Sequence, residues 1–375
     1  MTISIPKEIH EEESRAALVP EHVGKLIKAG AQVLVENGAG LASGHSDEAY
    51  AAAGATVENR DAVLAGGDFL FTVRGLPAAD IAKLKRGALL AGLLDPFNSP
   101  DGVKALAAQN VSALSMELLP RTTRAQKMDI LSSQASLAGY VAVLLAAEHS
   151  PRIFPMMMTP AGTLLPSKVF IIGAGVAGLQ AIATAKRLGA KVEAYDTRPV
   201  VEEQVKSLGG RFVTLDLGGE TGQTADGYAK PLTPEQIERQ REGMKKVCAG
   251  SDVVITTAQV FGRSAPVLVT ADMLAAMKTG SVVVDLAAES GGNVEGVEPG
   301  AVVRRNGVTI VGLRNLPGRV PAHASQMLSS NLCALLEEYW DKESKRFVLK
   351  PDDELIKGCL ITHDGRIVNE KFSAP

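Results

Sequence analysis

Gly173, Gly175 and Gly178 stand at G-x-G-x-x-G spacing in KVFIIGAGVAGLQAIATAKRLGAKVEAYD, after an apolar strand-like run and before an Ala-rich helical one. Each glycine has a physical task. The first allows a tight turn, the second lets backbone approach a pyrophosphate, and the third lets helix and strand pack closely. The helix N-terminus, with Val176 and Ala177 in its first turn, then faces the phosphates with N–H groups. Asp196 ends the next strand, eighteen residues past Gly178, where an acid accepts hydrogen bonds from ribose hydroxyls. The segment predicts a dinucleotide site at Gly173, Gly175, Val176, Ala177, Gly178, Asp196, Thr197 and Arg198; the plainer reading is a structural glycine turn. Asp196 favours NAD over NADP because a carboxylate repels a 2′-phosphate, and Arg198 keeps that preference from being absolute.

A second stretch, RTTRAQKMDILSSQASLAGY from Arg121 to Tyr140, is chemically unusual. At about 100° per residue, Gln126, Asp129, Ser132, Ser133 and Ser136 fall within an arc of roughly 120° on one helix. A solvated face is more often filled with Lys and Glu. Short hydrogen-bonding side chains, preceded by Arg121 and Arg124, suit a face that meets a polar ligand or another polar surface.

The loop LGGETGQTADGYAKPL, from Leu217 to Leu232, is long, Gly-rich and polar, with Tyr228 its only aromatic. Loops of this length in compact domains are functional or disordered, and a lid over the cofactor is the expectation. TPEQ then opens a helix, with Thr233 and Gln236 as a capping box and Pro234 at the first position. Ala258 and Gln259 follow the fourth strand of this half, where open α/β sheets bind ligands. Met156, Met157 and Met158 read as core packing, His323 as a solvated helix start, and the charged Glu235–Lys246 stretch as an exposed helix face.

The elements that must position these groups alternate strand with helix almost throughout, which predicts parallel α/β architecture. Strands are expected at 3–6, 32–36, 69–73, 88–94 and 112–118, then at 169–172, 191–195, 211–215, 252–256, 281–286 and 308–311. The second series has the six strands of a complete dinucleotide-binding unit. KAGAQVLVE, RLGAKVEAYD and SLGGRFVTLD each close a helix on glycine before a strand. The fold class is α/β: two Rossmann-like, doubly wound parallel-sheet domains with a cleft between them, linked by long helices. Residues 1–128 and 322–375 form the first domain and 129–321 the second. A helix over 125–149 leads out of the first domain, one over 322–340 leads back, and a hairpin turning at Asp364-Gly365 completes it.

The 375 residues carry a net charge of −3, which argues against nucleic acid as a partner. Cys248, Cys333 and Cys359 are too scattered for a disulfide framework or a metal cluster, so no metal is expected. MTISIPKE reads as a first strand and not as a leader, and the apolar run Leu137–Ala147 is too short for a bilayer, so the chain is expected to be soluble.

Taken in order, SIPKE, RTTRAQKMDILSSQASLAGY, GAGVAGLQAIATAKRLGA, DGYAK, VITTA, GSVVVDLAAESGGN and LPGR resemble the NAD(H)-binding component of proton-translocating nicotinamide nucleotide transhydrogenases. The resemblance runs the length of the chain, within the alanine dehydrogenase/transhydrogenase superfamily. It implies that Arg121, Gln126, Asp129 and Ser132 orient the nicotinamide, with Asp129 able to pair with Arg121. It makes Gly227 and Tyr228 part of a mobile loop closing on nucleotide, and Ala258 and Gln259 adenosine-side contacts, although Gln259 departs from the usual apolar residue. It further implies direct hydride transfer from NADH here to NADP+ on a separate NADP(H)-binding subunit, with no acid or base required. Proton translocation would fall to membrane-spanning subunits, and the chain would be a homodimer, cytoplasmic and peripheral on the inner membrane through its partners.

Alanine dehydrogenase is the rival, sharing the IPKE…R opening with Lys7 and Arg15. Reducing an imine needs a carboxylate clamp and a proton-handling His or Lys. That family's V-K-E-P and L-H-L segments stand here as Val73-Arg74-Gly75-Leu76-Pro77 and Gly92-Leu93-Leu94-Asp95-Pro96, no histidine lies between His45 and His149, and its acid after the fifth strand appears as Glu289. A non-catalytic NAD-responsive regulator is the third reading.

Overall fold

Residues 1–219, 221–222, 230–259 and 262–372 are described in a computed structural model of the chain. They form two units, Met1–Gln134 with Gly318–Pro375, and Ala135–Pro317.

The first unit begins with six strands whose apolar runs are buried on both faces, as a covered parallel sheet requires. They are β1 (Thr2–Ile5), β2 (Gln32–Glu36), β3 (Thr56–Glu58), β4 (Phe69–Arg74), β5 (Leu89–Leu93) and β6 (Ser112–Ser115). All pair in parallel in the order 3-2-1-4-5-6, with Ile3 opposite both Val33 and Phe69. The order reverses between β1 and β4, where such sheets open a crevice at their C-terminal ends.

The second unit carries a hairpin, β7 (Met157–Thr159) and β8 (Gly162–Leu164), and then β9 (Lys168–Ile172), β10 (Lys191–Tyr195), β11 (Arg211–Phe212), β12 (Val253–Thr256), β13 (Val282–Asp285), β14 (Val302–Arg305) and β15 (Val308–Val311). Its sheet runs 11-10-9-12-13-15-14, parallel except for the antiparallel edge strand β14. This is the same winding as the first sheet, with the reversal between β9 and β12. The core packs Phe170, Ile172, Val254, Val283 and Ile310 against Met244 and Cys248 of the helix Pro234–Gly250. That helix has the predicted capping box of Thr233 and Gln236.

The chain then returns to the first unit through the helix Pro321–Glu338 and adds β16 (Trp340–Asp341), β17 (Arg346–Phe347), β18 (Leu360–His363) and β19 (Arg366–Ile367). β18 pairs antiparallel with β6, and β19 folds back on it through Asp364 and Gly365, both at positive φ. Leu328, Leu332, Leu336, Leu355 and Ile356 of this returning segment share one core with Ile3, Phe69 and Phe71. The glycines of the three helix–strand joints, Gly30, Gly189 and Gly209, all have positive φ.

Several expectations are corrected. Met156, Met157 and Met158 are not core: they are 57%, 45% and 75% exposed, on and beside the β7–β8 hairpin. Neither β3, β14 nor the hairpin itself is expected from the sequence. The helix expected from Ala125 starts only at Ile130, after a short 3-10 turn over Gln126–Met128, and runs to His149. It is also longer and more apolar than the run 137–147 suggests. By length and composition it could cross a membrane, with 44% of its 18-residue window buried. Its polar residues are used inside the first unit: Ser133 Oγ donates to Asn331 Oδ1 at 2.7 Å and Gln134 Nε2 to the Ala324 carbonyl at 3.1 Å. All three cysteines are buried thiols without a disulfide, each pushed up to about 12 by burial.

Candidate nucleotide site

The glycine turn of the second unit lies at the β9 end of the sheet's reversal point. Gly173 takes φ +101, a conformation an L side chain rarely adopts, and its N–H donates to the Tyr195 carbonyl at 2.8 Å. Its own carbonyl accepts from Thr257 Oγ1 at 3.1 Å, which ties the turn to the loop after β12. Gly175 precedes the helix Val176–Arg187 and has φ −78, with no atom within 4 Å of where a Cβ would stand. Gly178 is the opposite case: its Cβ would lie 1.9 Å from the Gly173 carbonyl oxygen. On the other side of the turn, a Cβ on Gly139 would lie 2.1 Å from the Ala177 carbonyl oxygen, so the long helix Ile130–His149 approaches to backbone contact. The result is an exposed helix N-terminus with an open approach at Gly175, a geometry that fits a pyrophosphate.

Asp196 follows β10 and is nearly buried, with its side chain 6% exposed. Its carboxylate accepts from the Ala174 N–H at 2.8 Å and from the Arg198 N–H at 2.9 Å, which fixes it beside the turn. The Arg198 guanidinium grips the same carboxylate through Nε and Nη2 at 2.9 and 2.7 Å. Thr197, half-buried, lies between them.

Ala258 and Gln259 extend from β12 at the same edge. Asn293 clamps Ala258 at both ends of the residue: Oδ1 accepts from the Ala258 N–H at 3.1 Å and Nδ2 donates to its carbonyl at 2.9 Å. Gln259 Nε2 donates to the Leu286 carbonyl at 2.9 Å. Beneath them Asp285 is fully buried and accepts from the N–H groups of Ala287, Asn293 and Val294 and from Thr256 Oγ1. Burial pushes its carboxyl up, against the pull of those donors. The sequence motif GSVVVDLAAESGGN assigns no roles to Asp285 or Asn293, whose work is to shape this loop. Gly227 and Tyr228 lie outside the described residues.

In the first unit, Arg121, Gln126, Asp129 and Ser132 line one cavity of about 360 Å³, together with Leu119, Pro120 and Thr123. Asp129 is the helix cap: Oδ1 accepts from the Ser132 N–H at 2.9 Å and Oδ2 from Ser132 Oγ at 2.6 Å. The cap breaks the uniform helical arc read from the sequence, yet keeps Gln126, Asp129 and Ser132 in one wall. Arg124 points elsewhere. It pairs with Glu338 and Asp353 and donates to Tyr339 Oη, so it ties the turn to the returning segment.

The crevice between β1 and β4 is filled from within. Glu8 accepts from the Val73 and Arg74 N–H groups at 2.6 and 3.3 Å, and burial lifts its carboxyl to about 7. Glu13, whose side chain is fully buried, takes Arg15 through Nε and Nη2 at 2.7 Å each and Arg74 Nε at 2.8 Å. Burial would raise Glu13, but Arg15 and then Arg74 outweigh it and hold its carboxyl at about 2. Arg15 spends its remaining arm on Gln134 Oε1 at 2.9 Å. Arg15 is thus an internal ion-pair residue here. His10, distant in sequence, reaches the Gly75 carbonyl at 2.8 Å. Sequence reasoning singled out neither Glu8 nor Glu13, and P-K-E and E-x-R were the only signals for them. Among the described residues no group of three His, Cys, Asp or Glu side chains is placed to hold a metal.

Two family signatures cover the chain: alanine dehydrogenase/PNT, N-terminal domain, over residues 4–138, and alanine dehydrogenase/PNT, C-terminal domain, over 142–370. An NAD(P) transhydrogenase alpha subunit of Rhodospirillum rubrum is 46% identical over 98% of both chains. The solved structure of a transhydrogenase from Sinorhizobium meliloti superposes with a TM-score of 0.90 at 44% identity, covering 98% of this chain and 100% of that one. An L-alanine dehydrogenase structure follows at 0.79 and 26%, covering 99% and 98%. With two parallel-dominated α/β units, both family signatures and these relatives, the chain belongs to the alanine dehydrogenase/PNT family.

Proposed function

We propose that this chain is the NAD(H)-binding component of a proton-translocating NAD(P) transhydrogenase. Bound NADH would supply the hydride, passed directly to NADP+ held by a separate NADP(H)-binding subunit. In the second unit Gly173, Gly175, Val176, Ala177 and Gly178 hold the pyrophosphate, Asp196 with Thr197 the ribose, and Ala258 and Gln259 the adenosine side. In the first unit Arg121, Gln126, Asp129 and Ser132 supply donors and acceptors for the carboxamide. No proton moves in the redox step, so these residues orient and shield; they do no acid–base work.

The observation that carries this reading over amino-acid dehydrogenation is the sealed crevice of the first unit. A carboxylate substrate needs an open cationic clamp, whereas Arg15 is 5% exposed and is spent on Glu13 and Gln134. Alanine dehydrogenase keeps one observation in its favour: His10 beside Gly75 is a proton-handling group at the strand ends.

Membrane-spanning subunits would carry the protons, and the chain would sit peripherally on the cytoplasmic face of the inner membrane through them. A homodimer belongs to this reading. The β7–β8 hairpin, with Met156, Met158 and Leu165 at 57%, 75% and 68% exposure, is the surface we assign to it.

The deciding experiment supplies the purified chain with NADH, pyruvate and ammonium, and then with NADH, an NADP-binding partner subunit and NADP+. The transhydrogenase reading expects NADH binding without turnover in the first mixture and hydride transfer in the second. Alanine formation by the chain alone would replace it with the dehydrogenase reading.

A further inference from the structure

Asp196, the acid of the nucleotide site, is already saturated. Oδ1 accepts from the Arg198 N–H and Arg198 Nε, and Oδ2 from the Ala174 N–H and Arg198 Nη2, all at 2.7 to 2.9 Å. A carboxylate has about four acceptor positions, so none remains for a ribose hydroxyl. Two of the donors are backbone N–H groups, fixed by the glycine turn and by the chain leaving β10. The other two belong to one side chain, in the forked geometry that a guanidinium and a carboxylate favour. With Asp196 6% and Arg198 16% exposed, this is a shielded pair and not one of the solvated ion pairs that contribute little.

We propose that Arg198 is a built-in competitor for the ribose subsite, and that it sets cofactor choice by being held on Asp196. The proposal rests on the reading of the second unit as an NAD(H) site. A nucleoside with a free cis-diol binds Asp196 only by displacing the guanidinium, two neutral O–H donors replacing two charged N–H donors. A 2′-phosphate has no diol to offer and meets a carboxylate that two backbone N–H groups keep in place. Arg198 is the residue type that accommodates a 2′-phosphate in NADP enzymes, but Asp196 withholds it. Arg198 therefore lowers affinity for NADH while its tie to Asp196 denies NADPH a cationic partner.

The test is equilibrium titration of the full chain with NADH by fluorescence, and with 5′-AMP and 2′,5′-ADP by calorimetry. Thermal melting of each variant reports folding. R198A is expected to tighten both NADH and 5′-AMP about three- to tenfold, the scale of one shielded charged pair. R198K, whose ammonium cannot fork, is expected to fall between and serves if R198A does not fold. D196N is expected to strengthen 2′,5′-ADP at least about tenfold by releasing Arg198, and D196N with R198A to lose that gain. Unchanged or weaker NADH and 5′-AMP binding in folded R198A or R198K would overturn the competitor and make Arg198 a bystander or a ligand contact. If the unsubstituted chain binds neither NADH nor 5′-AMP, the NAD(H) reading itself falls.

Discussion

Replacing two glycines of one turn by alanine separates what the fold needs from what the ligand needs. At Gly178 a methyl would lie 1.9 Å from the Gly173 carbonyl oxygen and 2.9 Å from its carbon, where real Cβ contacts under 3.0 Å are essentially never found. The helix Val176–Arg187 would have to retreat by more than about 1 Å, and because both neighbours are backbone no side chain can yield. Overpacking of this kind costs about 1–3 kcal/mol and more when backbone must move, so Gly178→Ala is expected to lose about 3 kcal/mol. At Gly175 the methyl meets nothing within 4 Å and φ is −78, which alanine adopts freely. Stability should change by less than about 1 kcal/mol, within the ordinary range of a compatible Gly→Ala change. The methyl would, however, occupy the approach a pyrophosphate takes to the turn, and NADH affinity should fall about tenfold or more, roughly 1.4 kcal/mol. Urea unfolding followed by circular dichroism measures the first quantity and NADH fluorescence titration the second. Wild-type NADH affinity in Gly175→Ala would refute the placement of the pyrophosphate, and wild-type stability in Gly178→Ala would refute the packing argument.

Three further outcomes are expected. Asp129→Ala should cost about 1 kcal/mol through loss of the helix cap, and Asp129→Asn much less; both should slow hydride transfer with the partner subunit if Asp129 orients the carboxamide. Intact transfer in Asp129→Asn would remove Asp129 from the site. Glu8 binds its proton more tightly folded than unfolded, because burial lifts it from 4.5 to about 7. Its stabilising contribution is thus full below pH 4.5 and is lost as pH rises through 7, at most about 3 kcal/mol in all. Glu8→Gln should flatten the stability profile between about pH 5 and 8, as read from urea midpoints; Glu13, held at about 2, stays ionised across that window. An unflattened profile would discard the buried-carboxyl account. Met156→Ser with Met158→Ser should leave the melting temperature within a degree or two, since both side chains are exposed, yet shift a homodimer toward monomer in sedimentation. An unmoved sedimentation coefficient would take the hairpin out of the dimer contact.

The strands were the most legible part of the sequence. β2, β10 and β15 are apolar runs bounded by glycine joints or turns, and their limits agree with expectation to the residue. What escaped detection lacked that contrast. β14 is VVRR on a sheet edge, with only one of its four residues even half-buried, so no apolar run announced it. Met157–Thr159 has the composition of a core strand but belongs to an exposed hairpin; composition reports that a side chain prefers burial, not where burial occurs. Helical periodicity gathered Gln126, Asp129 and Ser132 correctly into one wall. It could not show that Asp129 closes one element and opens another, because a capping aspartate looks like any other residue on the arc. The Asp196–Arg198 fork was hidden for a different reason, since two residues two apart carry no periodic signal at all.

The returning segment has a consequence for synthesis. β6 is the growing edge of the first sheet until β18 covers it, and β18 is about 245 residues further along the chain. At about 5–20 residues per second a ribosome needs roughly 12–50 s to deliver it. During that interval an apolar parallel sheet exists with an unpaired edge and without Leu328, Leu332, Leu355 and Ile356 to close its core. The second unit, contiguous in sequence, meets no such delay. The unit that emerges first is therefore the one finished last, and nascent chains stalled before residue 360 should be those that chaperones hold longest.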